Sequence, residues 1–263
     1  MKTLITGHPK TGTTYLCRVL DCLLNDTHQI SRQLSVDLKR IYRRRPHRAD
    51  FSYLNNPLYF ARRVIPTYDA YIVLYRDFRD TLVSCYFQQR HREQTRFAGG
   101  IGEFIDFPFG GIRGIVAFYN EIEQHAQEKI IPVSHERMTE ELGAALVAGG
   151  IEHDAQNYEA CFQANTFAAM REEEQRNYQR ATDIAAQIEL TPKDPNNYDT
   201  YKTRRGKIGG YTDYLSADEI ARINAIIADE YRGNHIDRST YGDRYSQSEH
   251  RGCEELQSGL RRL

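Results

Sequence analysis

Residues 4–14 read Leu4-Ile5-Thr6-Gly7-His8-Pro9-Lys10-Thr11-Gly12-Thr13-Thr14, a short apolar run able to lie buried as a strand and opening directly into a glycine-bounded loop. Gly7 and Gly12 have the separation of the phosphate-cradling pattern G-x-x-x-x-G-K-[ST], in which the lysine after the second glycine reaches the β- and γ-phosphates of a nucleoside triphosphate. Here that position is Thr13, and the loop's lysine is Lys10, inside the turn. Its ammonium must meet a phosphate cluster from a different side, which points to a nucleotide other than ATP or GTP. Downstream, Leu16, Leu20, Leu23 and Leu24 share one helical face, so the loop opens a helix whose first N–H groups point back at it.

Working outward, Ala70-Tyr71-Ile72-Val73-Leu74-Tyr75 is a second buried strand, ending abruptly in Arg76-Asp77. A helix over about 79–92 follows, then one over about 113–127, a third strand at Ile130-Ile131-Pro132-Val133-Ser134, and a helix over about 138–148. Strands separated by helices of this length imply βαβ crossovers and a parallel sheet. The expected fold is therefore α/β: a three-layer, P-loop-like fold with a central parallel sheet flanked by helices. Residues 154–190 read as largely helical, with Arg171–Arg176 as a surface turn. The stretch 191–213, with Pro192, Pro195, Gly206, Gly209 and Gly210, reads as a long loop, and loops of that length are functional lids or disordered. Ser216 caps a last helix running to Tyr231, with Glu219 completing a capping box and Ile220, Ile223, Ile226 and Ile227 on its inner face. The rest, about 238–263, reads as a polar tail of one domain spanning 1–263.

The 263 residues suit one large domain with a real core. A hydrophobic content of 40%, 27% charged residues and a net charge of −1 are ordinary for a soluble protein. That balance gives no general affinity for polyanions, so nucleic acid is not an expected partner. Five scattered cysteines (Cys17, Cys22, Cys85, Cys161 and Cys253) without a C-x-x-C pair indicate neither a disulfide framework nor a zinc site. With no apolar span or signal-peptide pattern, a reducing, cytoplasmic location and no membrane partner are expected. The run 39–48 carries six Lys/Arg and no acid, and reads as a solvated face or as a recognition element for an acidic acceptor.

Pro9-Lys10-Thr11-Gly12-Thr13-Thr14 resembles the 5′-phosphosulfate loop of the PAPS-dependent sulfotransferases, Pro-Lys-[Ser/Thr]-Gly-Thr-[Thr/Ser], with Tyr15 where many members carry tryptophan. A second motif of that family, a hydrophobic strand ending in arginine with a serine eight positions on, is similar to Tyr71–Tyr75 followed by Arg76, Asp77, Asp80 and Ser84. An arginine at a strand end and a serine two helical turns later can converge on one phosphate, by a charge-assisted fork and a hydroxyl. A third, Arg204-Arg205-Gly206-Lys207-Ile208-Gly209-Gly210-Tyr211, resembles the family's Arg-Lys-Gly segment over the 3′-phosphate, with Arg205 in place of lysine. Asn165-Thr166-Phe167 with Met170 is similar to its Thr-Ser-Phe-x-x-Met stretch, whose aromatic packs on adenine. The resemblance covers about 3–232 with the motifs in family order.

What it implies is a donor, 3′-phosphoadenosine 5′-phosphosulfate (PAPS), with product 3′,5′-ADP, and sulfuryl transfer to a hydroxyl or amine without a metal. Lys10, Thr11, Gly12, Thr13, Thr14 and Tyr15 then serve the 5′-phosphosulfate, and Arg76, Ser84, Arg204, Arg205 and Gly206 the 3′-phosphate, with Phe167 at the adenine. Lys10 is the catalytic cation. The family's basic histidine falls at Asn55, which cannot take a proton at neutral pH. His47 ranks first as substitute base, with Asp50 and His8 as alternatives. Two other readings stand beside this one: a P-loop kinase or NTPase, which lacks its lysine at Thr13, and a non-catalytic nucleotide-binding protein. The acceptor pocket would draw on about 28–60, 86–112 and 176–200, where Tyr53, Tyr59, Phe60, Phe97, Phe104, Phe107 and Phe109 make an apolar or aromatic small molecule the expected acceptor, while the basic run equally allows an acidic one. Oligomeric state is left open.

Overall fold

The computed structural model describes residues 3–24, 68–92, 97–108, 110–180, 191–237 and 239–242. In chain order the elements are β1 (Thr3–Gly7), α1 (Thr13–Leu23), β2 (Ala70–Tyr75), α2 (Phe78–His91), α3 (Ile101–Phe104), α4 (Ile112–Ala126), β3 (Ile130–Ser134), α5 (Met138–Ala148), α6 (Tyr158–Ala164), α7 (Phe167–Arg180), α8 (Ala217–Glu230) and α9 (Ser239–Gly242). Among the described residues the three strands form one sheet in the order β1-β2-β3, parallel throughout. Gly7 lies opposite Leu74, and Tyr75 opposite Ser134. All three strands therefore finish along the same edge, where ligands of open α/β sheets bind.

Every residue of the central strand β2 is buried, as a parallel strand covered on both faces must be. Alternation along the strands sends Leu4, Tyr71, Val73 and Tyr75 to a layer built by α2, α4 and α8, and Ile5, Ile72 and Leu74 to one built by α1, α5 and α6. Full burial of Ile72 or Leu74 is worth about 1.5–3 kcal/mol each. β1 and β2 approach so closely at the loop's entrance that a Cβ on Gly7 would come 2.9 Å from Thr11 Oγ1 and 3.0 Å from the Leu74 carbonyl. Tyr119 of α4 ties its layer to the sheet: its hydroxyl donates to the Leu74 carbonyl at 2.8 Å, and its ring stacks on Tyr75 and Phe78.

The helix starts expected from the sequence are observed, including both halves of the capping box at α8. Ser216 Oγ accepts from the Glu219 amide, and the Glu219 carboxylate accepts from the Ser216 amide at 2.8 Å. Four features differ from the sequence expectation. The helical stretch breaks at Asn165–Thr166 into α6 and α7. Arg171–Arg176 is not all surface, because Glu174 is completely buried. Tyr241, placed in the polar tail, is buried with its ring on Phe78 and its hydroxyl accepting from the Phe78 amide at 3.2 Å. Finally, Cys22 of α1 and Cys161 of α6 form a disulfide across 139 residues, against the expectation that no disulfide forms. Spacing could not reveal it, since only helix packing brings the two thiols together. Among the described residues no helix is long and apolar enough to cross a membrane.

Candidate functional site

The loop after β1 is held by its own atoms and by the neighbouring strand. Thr11 donates its hydroxyl at 2.6 Å and its amide at 3.2 Å to the His8 carbonyl. Lys10 and Gly12 both adopt positive φ, 78° and 94°. For a non-glycine residue such a conformation costs about 1–3 kcal/mol and persists only where its surroundings impose it. Here Arg76, just past β2, donates from Nη1 to the Lys10 carbonyl at 3.0 Å and fixes that peptide. Gly12 is the N-cap of α1 and brings no side-chain cap, so the first-turn amides of Thr13, Thr14 and Tyr15 are left for an anion. A side chain at Gly12 would collide with the ring of His135.

Lys10 Nζ donates to Gln88 Oε1 of α2 at 3.2 Å. Burial, with the charges of Lys202, Arg92 and Arg76 and against that of Cys85, pulls its pKa down to about 8. A group of like charges around a half-buried ammonium is the electrostatic mark of a polyanion site. On α2, Asp80, Ser84 and Gln88 follow at four-residue spacing along one side of the helix. Gln88 engages Lys10. Asp80 accepts from the amides of Gly209 and Tyr211, each at 2.8 Å, and lies 4.0 Å from Arg76. Half-buried Ser84 sits between these two anchor points.

The long segment that closes this face runs antiparallel to α2. Arg92, the C-cap of α2, donates to the carbonyls of Thr200 and, at 2.9 Å, Thr191. Arg204 lies with its Cζ 4.0 Å over the Phe87 ring and 4.7 Å from that of Tyr214, whose hydroxyl it also reaches. Gly209 and Tyr211 then end on Asp80. Buried Glu174 of α7 holds the same segment from the other side. It accepts from the amides of Lys202 at 2.7 Å and Thr203 at 3.0 Å, and from Thr203 Oγ1 at 2.7 Å, and pairs with Arg92 at 3.6 Å. Gly206, at φ 62°, rests on the Phe167 ring so closely that a Cβ would strike it. Arg205 and Lys207 project outward and share Asp213 at 3.0 and 2.9 Å.

The residues singled out from the sequence are thus mostly gathered along the strand ends and α2. Lys10, Gly12, Thr13 and Thr14 form the loop and helix start. Arg76 braces the loop, and Arg204 and Gly206 lie on the closing segment with Phe167 beneath. The Thr11 hydroxyl is spent inside the turn, and the Tyr15 ring turns away toward Phe162 of α6, 6.0 Å off. His8 is sealed in the core: its Nδ1 is 2.7 Å from the Pro9 carbonyl, its ring is edge-on to Phe118, and burial lowers its pKa to about 4. It has no access to an acceptor. His47, Asp50 and Asn55 lie outside the described residues, as do Tyr53, Tyr59, Phe60 and Phe109. Phe97, Phe104 and Phe107 pack on one another at 4.9–5.3 Å, with Phe104 fully buried.

Two residues at this edge were not singled out. His135 follows β3 as Arg76 follows β2; its Nδ1 is buried without a partner, and burial and then Arg76 lower its pKa to about 4. Its place directly after a parallel strand was the available signal. Lys202 stands two residues before Arg204, and only the fold turns it toward the loop. Among the described residues no three His, Cys, Asp or Glu side chains group so as to hold a metal ion.

A family model described as sulfotransferase domain matches residues 1–235. Among solved structures, a mouse sulfotransferase complexed with PAP is similar at TM-score 0.53 and 15% identity, over 89% of this chain and 85% of that one. A retinol dehydratase in complex with androsterone and the inactive cofactor PAP is similar at TM-score 0.56 and 14% identity, over 89% of this chain and 82% of that one. At these identities the likeness is one of fold. No curated protein sequence matches the chain.

Proposed function

The chain belongs to the sulfotransferase family, and from that premise we propose that it uses PAPS as donor and the hydroxyl or amine of a small molecule as acceptor. The observation that carries this reading is the arrangement of cations along α2. Lys10 stands at Gln88 with Lys202 and Arg92 nearby, while Arg76 and Arg204 flank Asp80, Ser84 and Phe87. Two separated groups of positive charge fit a nucleotide phosphorylated at both 3′ and 5′ positions better than the single run of phosphates in ATP. The residues fit the donor: uncapped amides at Thr13–Tyr15, glycines at 12 and 206 where a side chain would collide, and a half-buried aromatic ring at Phe167.

When bound, PAPS supplies the sulfuryl group, which leaves its 5′-phosphate oxygen for the acceptor while the acceptor's proton departs. Lys10 neutralises charge on that oxygen, and the amides of Thr13 and Thr14 with their hydroxyls hold the 5′-phosphate. Arg76, Ser84, Arg204, Arg205 and the Gly206 amide hold the 3′-phosphate, with Phe167 against the adenine. Arg205 leaves Asp213 to do so. His47 is the proposed acceptor base on sequence alone. The aromatic-rich segments support an apolar or aromatic acceptor. The expected cytoplasmic location rests on the cysteine pattern, and the Cys22–Cys161 pairing draws that pattern toward an oxidising compartment. Calorimetric titration tests the donor: 3′,5′-ADP binds at least about tenfold more tightly than ATP, a difference of about 1.4 kcal/mol, whereas equal affinities overturn the reading.

A further inference from the structure

Lys10 is fixed at both of its ends. Arg76 donates to its carbonyl at 3.0 Å and holds the left-handed backbone, while its ammonium donates to Gln88 Oε1 at 3.2 Å. The second bond joins residues 78 apart in sequence, so only the packing of α2 beside the loop provides it. The closing segment forms a strap along that helix. It is fastened at Asp80 by the amides of Gly209 and Tyr211, and at Arg92 by the carbonyls of Thr200 and Thr191. Gln88 stands between the two fastenings, eight residues past Asp80 and four before Arg92. An acceptor on a helix braced in this way keeps its place, whereas a lysine's four-carbon stem alone gives the ammonium no fixed direction.

The chemistry of this partner is as telling as its place. The largest influences on the Lys10 charge are burial and the positive charges of Lys202, Arg92 and Arg76, with Cys85 acting the other way and no carboxylate among them. Burial pushes the Cys85 thiol up to about 12, so it stays neutral near pH 8. An amide oxygen accepts one ammonium proton and leaves the charge of the group whole. A carboxylate at the same point would pair with the ammonium, screen its charge and repel the anionic groups of a donor. An aliphatic side chain would offer it no acceptor.

We infer that Gln88 is a positioning residue of the transfer step, whose amide oxygen aims the Lys10 ammonium at the leaving oxygen of the donor and leaves that ammonium its full charge. This rests on the donor reading above. Gln88 acts through Lys10, so its loss shows in turnover, where charge develops on the leaving oxygen. A misplacement of about 1 Å at such a group is enough to cost about 10²-fold in rate. The hold on 3′,5′-ADP is affected far less, because the loop amides and the cations at the 3′-phosphate remain.

The test compares two variants with the wild type. Gln88→Met keeps the length of the side chain and removes the amide oxygen, and Gln88→Glu keeps an oxygen there and adds a charge. Each protein is assayed for labelled sulfate transfer from PAPS to a panel of phenols and alkyl amines over about pH 6–10, and titrated calorimetrically with 3′,5′-ADP. Gln88→Met is expected to lose about tenfold or more in kcat, with 3′,5′-ADP affinity held within about threefold. In Gln88→Glu the alkaline fall of kcat/KM is expected to move upward from about 8 by about one pH unit or more, with a lower kcat at neutral pH. A Gln88→Met kcat within about twofold of wild type, equal losses of kcat and 3′,5′-ADP affinity, or an unmoved alkaline fall in Gln88→Glu overturns the assignment while the donor reading stands. A wild type that transfers no sulfate overturns both.

Discussion

Replacing Glu174 by glutamine puts the strap over Lys10 to the test. The native carboxylate is completely buried and serves two amides, one hydroxyl and the guanidinium of Arg92, whose side chain is only 5% exposed. Glutamine keeps the shape but turns one acceptor into a donor and removes the negative charge 3.6 Å from Arg92. Removing one partner of a buried ion pair costs about 3–5 kcal/mol. Arg92 still donates to two backbone carbonyls, which places the loss at the lower end, about 3 kcal/mol. For a chain of this size that lowers Tm by about 6–12 °C, at 2–4 °C per kcal/mol. The companion variant Arg92→Met/Glu174→Gln, with no orphaned charge, loses less than the sum of its single changes. Thermal unfolding of the four proteins measures both quantities. A loss under about 0.5 kcal/mol for Glu174→Gln, within the range of an ordinary surface change, refutes the clamp.

Three further outcomes follow from the site. Lys10 must carry its proton to act as a cation, so kcat/KM for the donor is full below its free-enzyme pKa and falls as pH rises through about 8; a profile flat to pH 10 contradicts the assignment. Gly206→Ala meets both a left-handed φ and the Phe167 ring, a cost of at least about 1–2 kcal/mol, so affinity for 3′,5′-ADP falls about tenfold by calorimetry, and an unchanged affinity argues against that loop's role. Alkylation under denaturing, non-reducing conditions labels Cys17 and Cys85 but spares Cys22 and Cys161. Breaking that crosslink by Cys161→Ser removes about 2–4 kcal/mol of stability, and a fully alkylated native protein rules out the bond.

The sequence exposed what is local. Burial on both faces is legible in β2 as an unbroken apolar run, and the α8 capping box in Ser216 and Glu219, because each is written within a few neighbouring residues. The loop at Lys10 and the arginine after β2 were legible for the same reason. Contacts across the fold were not. Glu174 sits in a charged stretch that reads as surface, and nothing nearby in sequence says that the strap at Lys202 and Thr203 will fold over it. Cys22 and Cys161 are joined by the packing of α1 on α6, and His135 acquires its place only when β3 lines up beside β2. Lys10 bends into its unfavourable φ because Arg76, sixty-six residues away, takes its carbonyl. The motif predicts a loop there but not what braces it.

The central claim is that Lys10 works on a sulfuryl group. Labelled sulfate transfer from PAPS to a panel of small hydroxyl and amine acceptors, run with wild type and Lys10→Ala, tests it most directly. The account predicts transfer by the wild type, a fall of about 10²-fold or more in kcat for Lys10→Ala, and retained binding of 3′,5′-ADP by the variant. Near-normal turnover by Lys10→Ala contradicts it.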